Sequence, residues 1–315
     1  MTAEVSKEEI KFLSADKETQ INACIWQDKL NENPTGIVQL VHGMAEHIER
    51  YDEFAQFLVS KGFIVCAHDH IGHGKSVKDK KHWGHIPIHQ GDRILVSDVH
   101  ELHRIVKERF GEDLPYFLFG HSMGSFVVRA YITRYGAELS GAIICGTGQL
   151  PVVASKAGNK LAHFIAKTKG AHTRSKLLDS MGAGSYGKKV KGAQTDLDWL
   201  SYNKDNVQKY IDDERCGFMF SAGGYAALTA LTAAVASPEA ARKIPKKLPL
   251  LYIAGKDDPV GDFGKGVRAA CKMAVDAGVE DVSLQLYDGM RHEILNEDNK
   301  QTVFDDIDAW LEARL

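Results

Sequence analysis

The sequence has no apolar run approaching the roughly 18 residues of a membrane span, which excludes a spanning helix of the ordinary kind. Its first ten residues, Met1 to Ile10, carry acids early and have no apolar core, so a secretory signal is not expected. Cysteine is sparse: Cys24, Cys66, Cys145, Cys216 and Cys271 are scattered, odd in number and without C-x-x-C spacing. Cys66 and Cys145 lie inside apolar runs and read as small buried hydrophobes, and a reduced cytoplasm is the simplest setting. The net charge of −3 gives no reason to expect nucleic acid as a partner. What remains is the balance of a globular protein, 44% hydrophobic and 26% charged. At 315 residues the chain suits one large core with an insertion.

The chain repeats a pattern of apolar strand, loop and helix. Two strand-like runs in residues 8–29 flank a turn at Ser14 to Lys17. Gly36 to Val41, Phe63 to Ala67, Tyr116 to Phe119, Gly141 to Cys145, Leu248 to Ala254 and Val282 to Tyr287 are further strand candidates. Helical spacing of apolar residues marks about Tyr51 to Lys61, Asp92 to Phe110 and Gln301 to Leu315. This alternation argues an α/β fold, a mostly parallel central sheet with helices on both faces. In such sheets the loops at the carboxyl ends of the strands build the site. The pattern breaks between about Leu150 and Pro245, where there are helical segments but no convincing strand. We read residues 1–150 and 245–315 as two parts of one core, and 151–244 as an inserted helical cap. The cap's first half, Lys156 to Lys191, is strongly basic, with Asp179 its one acid, and Asp196 to Glu214 is acidic. A solvated helical face explains this; attraction to anionic lipid is the alternative.

Gly120-His121-Ser122-Met123-Gly124 follows the strand Tyr116 to Phe119 and precedes a helical stretch from Ser125. In that context G-x-S-x-G is a nucleophile elbow. A tight turn strains the serine backbone, and a side chain at Gly120 or Gly124 would crowd the strand or the helix. The serine hydroxyl is then held clear of the sheet at a helix N-terminus, where free N–H groups favour developing negative charge. Taken alone, the five residues are a modest signal, since small residues recur and a strand-to-helix turn without chemistry is the minor alternative.

A serine nucleophile needs a base, and the base needs a group that holds its tautomer. The expected order is serine, acid, histidine. Asp258 follows the strand ending at Ala254, and His292 follows the strand ending at Tyr287. Asp257 is the rival acid; Asp258 is preferred because Pro259 fixes the turn after it. Asp262 and Asp288 are weaker choices. An oxyanion hole needs two N–H donors: Met123, next to the serine, and Met44 in His42-Gly43-Met44, where Gly43 allows close approach. The 14 histidines invite a metal reading, above all in His68-Asp69-His70-Ile71-Gly72-His73. Coordination needs three or four converging side chains, and a hydrogen-bonded loop is the better account, so no metal or cofactor is expected.

His42-Gly43-Met44-Ala45-Glu46-His47 with Arg50-Tyr51, the loop Ala67 to Ser76, Gly120 to Gly124, and His292 to Glu297 together resemble the monoacylglycerol lipase and lysophospholipase family of serine α/β-hydrolases. The match covers about residues 8–150 and 245–315. The resemblance implies an α/β-hydrolase fold, Ser122 as nucleophile, Asp258 as acid, His292 as base, and the N–H groups of Met44 and Met123 as oxyanion donors. It also implies a cap that accepts a single acyl chain. Ile71 stands where the family usually has arginine, and Ser125 where a third glycine is common. The cap is the least similar part.

The expected activity is hydrolysis of a carboxylic ester, with a monoacylglycerol or similar single-chain lipid ester as substrate. Leu150, Val152, Val153, Leu161, Phe164 and Ile165 are candidates to line a narrow apolar pocket, although a plain cap core explains them equally well. Transient contact with a membrane or micelle through the cap is a further expectation. A lysophospholipase, a short-chain carboxylesterase, an acyltransferase or a peptidase would share the catalytic residues. Haloalkane dehalogenase and epoxide hydrolase chemistry would need Asp at position 122. A non-catalytic binding protein would be expected to have a damaged triad or oxyanion loop.

Overall fold

The computed structural model describes residues 4–315. In its first half run β1 (Val5–Leu13), β2 (Gln20–Asp28), β3 (Gly36–Val41), α1 (Asp52–Ser60), β4 (Phe63–His68), α2 (Gly91–Phe110), β5 (Tyr116–His121), α3 (Met123–Tyr135) and β6 (Gly141–Cys145). Five helices follow without a strand: α4 (Val152–Lys169), α5 (Lys176–Ser180), α6 (Lys204–Asp212), α7 (Ala222–Val235) and α8 (Pro238–Ala241). The chain then resumes with β7 (Leu250–Gly255), α9 (Lys265–Asp276), β8 (Val282–Tyr287) and α10 (Lys300–Glu312). The strands form one sheet in the order β1-β2-β4-β3-β5-β6-β7-β8. β2 pairs antiparallel with β1 and β4, and every other pairing is parallel. This is the α/β-hydrolase fold expected from the alternation of strands and helices.

Period-two alternation explains why the central strands are buried on both faces. In β5, Tyr116 and Leu118 face the core shared with α2, α3 and α7, while Phe117 and Phe119 face the core shared with α1 and α10. β6 and β7 divide in the same way, Ile144 and Tyr252 to the first side, Ile143 and Ile253 to the second. Register then sets the level at which loops leave the sheet. Val41, the last residue of β3, stands opposite Gly120 of β5, and His121 opposite Cys145. The loops after β3, β5 and β6 therefore emerge side by side.

The helices between β6 and β7 are not uniform. α4 lies on α7 through small residues: Ser155, Gly158, Ala162 and Ile165 are its buried stripe, and a Cβ on Gly158 would stand 3.2 Å from Thr229 Cγ2. α7 itself is seated on the central core. Ala226, Ala227, Leu231 and Val235 join the core of α2 and α3, and a Cβ on Gly91 would come within 2.9 Å of Ala227 Cβ. A third, smaller cluster gathers Trp199, Leu200, Val207, Tyr210 and Cys216 with Tyr186 and Val260.

β4 ends on a buried histidine, His68, whose ring nitrogens have no hydrogen bond among the described residues and which packs against the rings of Phe12 and His70. Burial lowers its pKa to about 3, so it stays neutral in the fold while an unfolded chain takes up a proton below about pH 6.5. Its contribution to stability is complete above that pH and is lost as pH falls toward 3. His68→Leu should therefore leave stability at pH 7 unchanged or raised, since no hydrogen bond is lost. It should also make the fall in stability between pH 6.5 and 4 shallower by about 1.4 kcal/mol per pH unit. Urea unfolding across that range measures both.

Candidate active site

The β5–α3 turn is tight for a steric reason. Ser122 has φ 52° and ψ −118°, a conformation unfavourable for a residue with a side chain. A Cβ on Gly124 would fall 2.0 Å from Val41 O, and one on Gly120 would fall 2.5 Å from Gly124 O. Ser122 is pinned by its own N–H, which donates to Cys145 O at 3.0 Å, and by its carbonyl, which accepts from Ser125 N at 2.9 Å and Ser125 Oγ at 2.5 Å. The serine at 125 thus adds a second bond to the strained carbonyl.

Asp258 and His292 meet from the loops after β7 and β8. His292 Nδ1 donates to Asp258 Oδ2 at 2.9 Å, and Val260 N donates to Asp258 Oδ1 at 2.8 Å. Both side chains are buried, at 0% and 2% exposure for the acid and the histidine. Asp257 instead accepts from Tyr202 OH at 3.0 Å, Asp288 pairs with Lys256, and Asp262 is exposed. With Nδ1 as donor, Nε2 is left to accept a proton. The imidazole packs against His121, the residue before Ser122, ring centroids 4.7 Å apart. No hydrogen bond joins it to Ser122 Oγ among the described residues, and such contacts commonly tighten only with substrate.

The loop after β3 supplies the other wall. A Cβ on Gly43 would be 3.1 Å from Ser122 Cβ, so glycine is what lets this backbone reach the serine. Neither Met44 N nor Met123 N is engaged by a loop or side-chain acceptor among the described residues. Both N–H groups are thus left unengaged, Met123 next to Ser122 in the chain and Met44 next to the glycine that approaches it. Ala45, next in the loop, has φ 54°. Its carbonyl accepts from Tyr210 OH at 2.8 Å and Gly217 N at 2.9 Å, both from the segment around α6.

Beneath this loop lies a buried charge network absent from the sequence reading as a unit. Glu46 Oε1 accepts from Gly43 N at 2.6 Å and Tyr51 OH at 2.8 Å, and Glu46 Oε2 accepts from Arg50 at 2.8 Å. Arg50 also forks onto both oxygens of Glu293, at 2.6 and 2.7 Å, and reaches Asn206 of α6 at 3.2 Å. His121 places Nδ1 3.3 Å from Glu46 Oε1 and Nε2 3.1 Å from the His292 carbonyl, so both nitrogens face acceptors. Burial alone would lower the His121 pKa, but its bond to Glu46 and the charges of Glu46 and Glu293 raise it. Burial would raise Glu46, yet His121 and Arg50 hold it well below the usual carboxylate range. The sequence signal was present in Glu46, Arg50 and Tyr51 of the quoted motif, but their partner Glu293 lies 243 residues from Arg50.

The histidines of the 68–73 loop are placed by hydrogen bonds, not by convergence. His42 Nε2 accepts from His70 N at 2.9 Å while its Nδ1 donates to Gly43 O at 2.8 Å, which requires a neutral ring. Burial accordingly lowers His42 and His73 to about 4. Ile71 is buried in the core of α2 and α3, and its carbonyl accepts from His73 Nδ1. Among the described residues, three metal-type donor atoms come within 4.8 Å of one another at His47, Asp213 and Cys216, and at His100, His103 and Glu138. Arg215 already binds both carboxylate oxygens of Asp213, and Tyr131 OH contacts both histidines of the second group.

The residues proposed to line an acyl pocket are dispersed. Leu150, Val153 and Phe164 are exposed, Val152 and Leu161 are half-buried, and Ile165 is buried with the central core. A side chain from the segment between β6 and β7 that was not singled out in the sequence does reach the histidine. Trp199 packs on His292 with ring centroids 5.0 Å apart, and Tyr186 packs on Trp199 at 5.1 Å.

Removing one charge from the buried network leaves the others uncompensated. Glu46→Gln keeps the shape but not the charge facing Arg50 and His121, and should cost about 3–5 kcal/mol in urea unfolding at pH 7.

With this geometry in hand, comparison with known proteins is informative. The profile of the Hydrolase_4 family, described as serine aminopeptidase, S33, matches residues 32–299. A monoacylglycerol lipase of Mycolicibacterium smegmatis is 30% identical over 292 residues, 90% of each chain. The monoglyceride lipase of Homo sapiens is 28% identical, over 89% of this chain and 84% of the human one. Among solved structures, a thermostable carboxyl esterase from Bacillus coagulans in complex with glycerol superposes with a TM-score of 0.89 at 34% identity, covering 98% of both chains. The chain described here belongs to the Hydrolase_4 family of α/β-hydrolases.

Proposed function

We propose that this chain is a serine ester hydrolase that releases a fatty acid from monoacylglycerols, with Ser122 as nucleophile, His292 as base and Asp258 as its orienting acid. The observation that carries this reading is the Asp258–His292 hydrogen bond of 2.9 Å, with the imidazole packed on His121, the residue before a serine strained to φ 52°. The relatives named as monoacylglycerol and monoglyceride lipases support the substrate, as does the glycerol held by the Bacillus coagulans esterase. Ser122 Oγ attacks the acyl carbonyl as His292 Nε2 takes its proton. The Met44 and Met123 N–H groups hold the resulting oxyanion. The tetrahedral carbon then expels the glycerol oxygen, which His292 protonates. Water, deprotonated by the same imidazole, releases the fatty acid from the acyl-enzyme and returns the proton to Ser122. No cofactor enters these steps.

Residues 151–244 act in this reading as a cap over the site that also meets a lipid interface. Val153 and Phe164 of α4 stand 80% and 63% exposed, with Leu177 and Met181 exposed on and just after α5. Lys156, Lys160, Lys167 and Lys169 share α4 with them. An apolar surface ringed by cations suits anionic lipid. No helix among the described residues is long and apolar enough to cross a membrane. The five free, buried cysteines suit a cytoplasmic setting.

Fatty-acid release from a 1-monoacylglycerol and a lysophospholipid of equal chain length, measured side by side, tests the proposal. The monoacylglycerol is expected to be the better substrate. Ser122→Ala should lower kcat by about 10⁴-fold or more, and Asp258→Asn by about 10⁴-fold with the fold intact. Preference for the lysophospholipid would move the function to that class. Full activity in Ser122→Ala would overturn the mechanism.

A further inference from the structure

α2 carries two histidines three residues apart, His100 and His103, a spacing that sets both rings on one face of the helix. They meet the C-terminal end of α3 and the short turn after it, Gly136–Glu138. Two tyrosines hold the rings in place. His100 lies flat on Tyr135, ring centroids 3.8 Å apart and planes 7° from parallel, and His103 lies on Tyr116 at 4.0 Å and 16°. Between them stands the Tyr131 hydroxyl, 3.1 Å from His100 Nδ1 and 2.6 Å from His103 Nδ1. A hydroxyl holds one proton, so it donates to one of these nitrogens and accepts from the other. Glu138 faces the same point, its Oε2 3.8 Å from His100 Nδ1. No guanidinium or ammonium among the described residues pairs with that carboxylate. The group at His47, Asp213 and Cys216 differs here, because Arg215 already occupies its carboxylate.

These spacings suit one ion. Ligands at the roughly 2.0–2.1 Å of zinc–nitrogen and zinc–oxygen bonds stand about 3.4 Å apart at the corners of a tetrahedron. A carboxylate 3.8 Å from an imidazole nitrogen is too far for a hydrogen bond but close to that edge. One donor atom from each of His100, His103 and Glu138 lies within 4.8 Å of the others. Two imidazoles and a carboxylate are ligands for zinc and its neighbours, whereas calcium and magnesium take oxygen. We propose that His100, His103 and Glu138 bind a divalent transition-metal ion of the zinc type, which ties α2 to the end of α3. The Tyr131 hydroxyl or a water fills the fourth position. The ring that now donates to Tyr131 moves its proton to Nε2, so both Nδ1 lone pairs turn to the ion. His103 gives up no proton to do this, because burial, with His100 and Lys107 nearby, lowers its pKa to about 4. Lys107 directs its own ammonium to the carbonyls of Glu112 and Leu114. His103 is buried, but His100 and Glu138 are 28% and 49% exposed, which leaves the site open to solvent on their side. None of these residues takes part in the proposed chemistry, and Tyr131 lies about 13 Å along α3 from Ser122.

Isothermal titration of zinc chloride into chelator-treated protein tests the site. The variants are Glu138→Gln and His100→Gln, with His163→Gln on the exposed face of α4 as control. Both ligand substitutions fall at solvent-accessible positions and keep a polar side chain, so the fold is expected to survive them. The unaltered protein and His163→Gln should bind zinc with the same affinity. Glu138→Gln should bind at least about tenfold more weakly, and His100→Gln more weakly still. An ion held by both helices binds only the folded chain. Zinc at about a hundredfold its Kd should therefore raise the Tm of the unaltered protein by about 3 °C or more, and that of the two ligand variants much less. Magnesium chloride should give neither effect. No binding up to about 1 mM zinc, or an affinity unchanged within about twofold in both ligand variants, would overturn the proposal. An equal response to magnesium would overturn it as well. Neither readout uses an ester, so the result does not depend on the hydrolase reading.

Discussion

Arg50 is held between two buried carboxylates, and the working face of the molecule is assembled around that guanidinium. Glu46 connects it to the Gly43 N–H and so to the loop that approaches Ser122. Glu293 connects it to the residue after His292, and Asn206 to the cap. Taking such ions out of water costs several kcal/mol each, and the cost is offset only when every polar group finds a partner. Here the partners come from three separate parts of the chain. The network forms when all three are in place, so the loop after β3, the loop after β8 and the segment around α6 are ordered together. His121 extends the network, linking Glu46 to the His292 backbone.

The parts of this arrangement that were legible in the sequence are the local ones. Glycine at 120 and 124 is demanded by contacts with residues of the same turn or of the neighbouring strand end, and the pattern states that demand directly. Pro259 singled out Asp258 over Asp257, and Asp258 is the acid that faces His292. The fold followed from the repeated strand and helix pattern, because strands buried on both faces are apolar throughout. Long-range partnerships carried no such mark. Nothing near Arg50 announces Glu293, and the segment from Met181 to Asn203, which delivers Tyr186 and Trp199, contains no regular helix long enough to show a period. The apolar residues of α4 were visible, but spacing could not tell which face would meet α7, because that interface is made by Gly158 and Ala162 rather than by large side chains.

The helices between β6 and β7 therefore serve two different roles. α7 fills the central core against α2 and α3 and is part of what keeps the sheet covered. The segment from Tyr186 to Gly217 reaches the site: the Trp199 ring over His292, the Tyr210 hydroxyl and the Gly217 N–H on the strained Ala45 carbonyl, Asn206 on Arg50. α4 keeps Ala162 and Ile165 in that same central core and presents Phe164 and Val153 at the outer surface.

The register of the sheet has a consequence for how such a protein can change. β6 and β7 pair directly, Cys145 opposite Ile253, although about a hundred residues separate them in the chain. The intervening helices leave and return at adjacent strands, so lengthening or exchanging them does not move Val41 relative to Gly120. A slip of one residue between those two strands would turn every side chain to the opposite face and carry the serine about 3.3 Å along the sheet. Variation in what is recognised is thereby separated from variation in how it is cleaved. New specificities can be built by insertion and deletion at one joint, while the strands that time and align the chemistry tolerate only substitution.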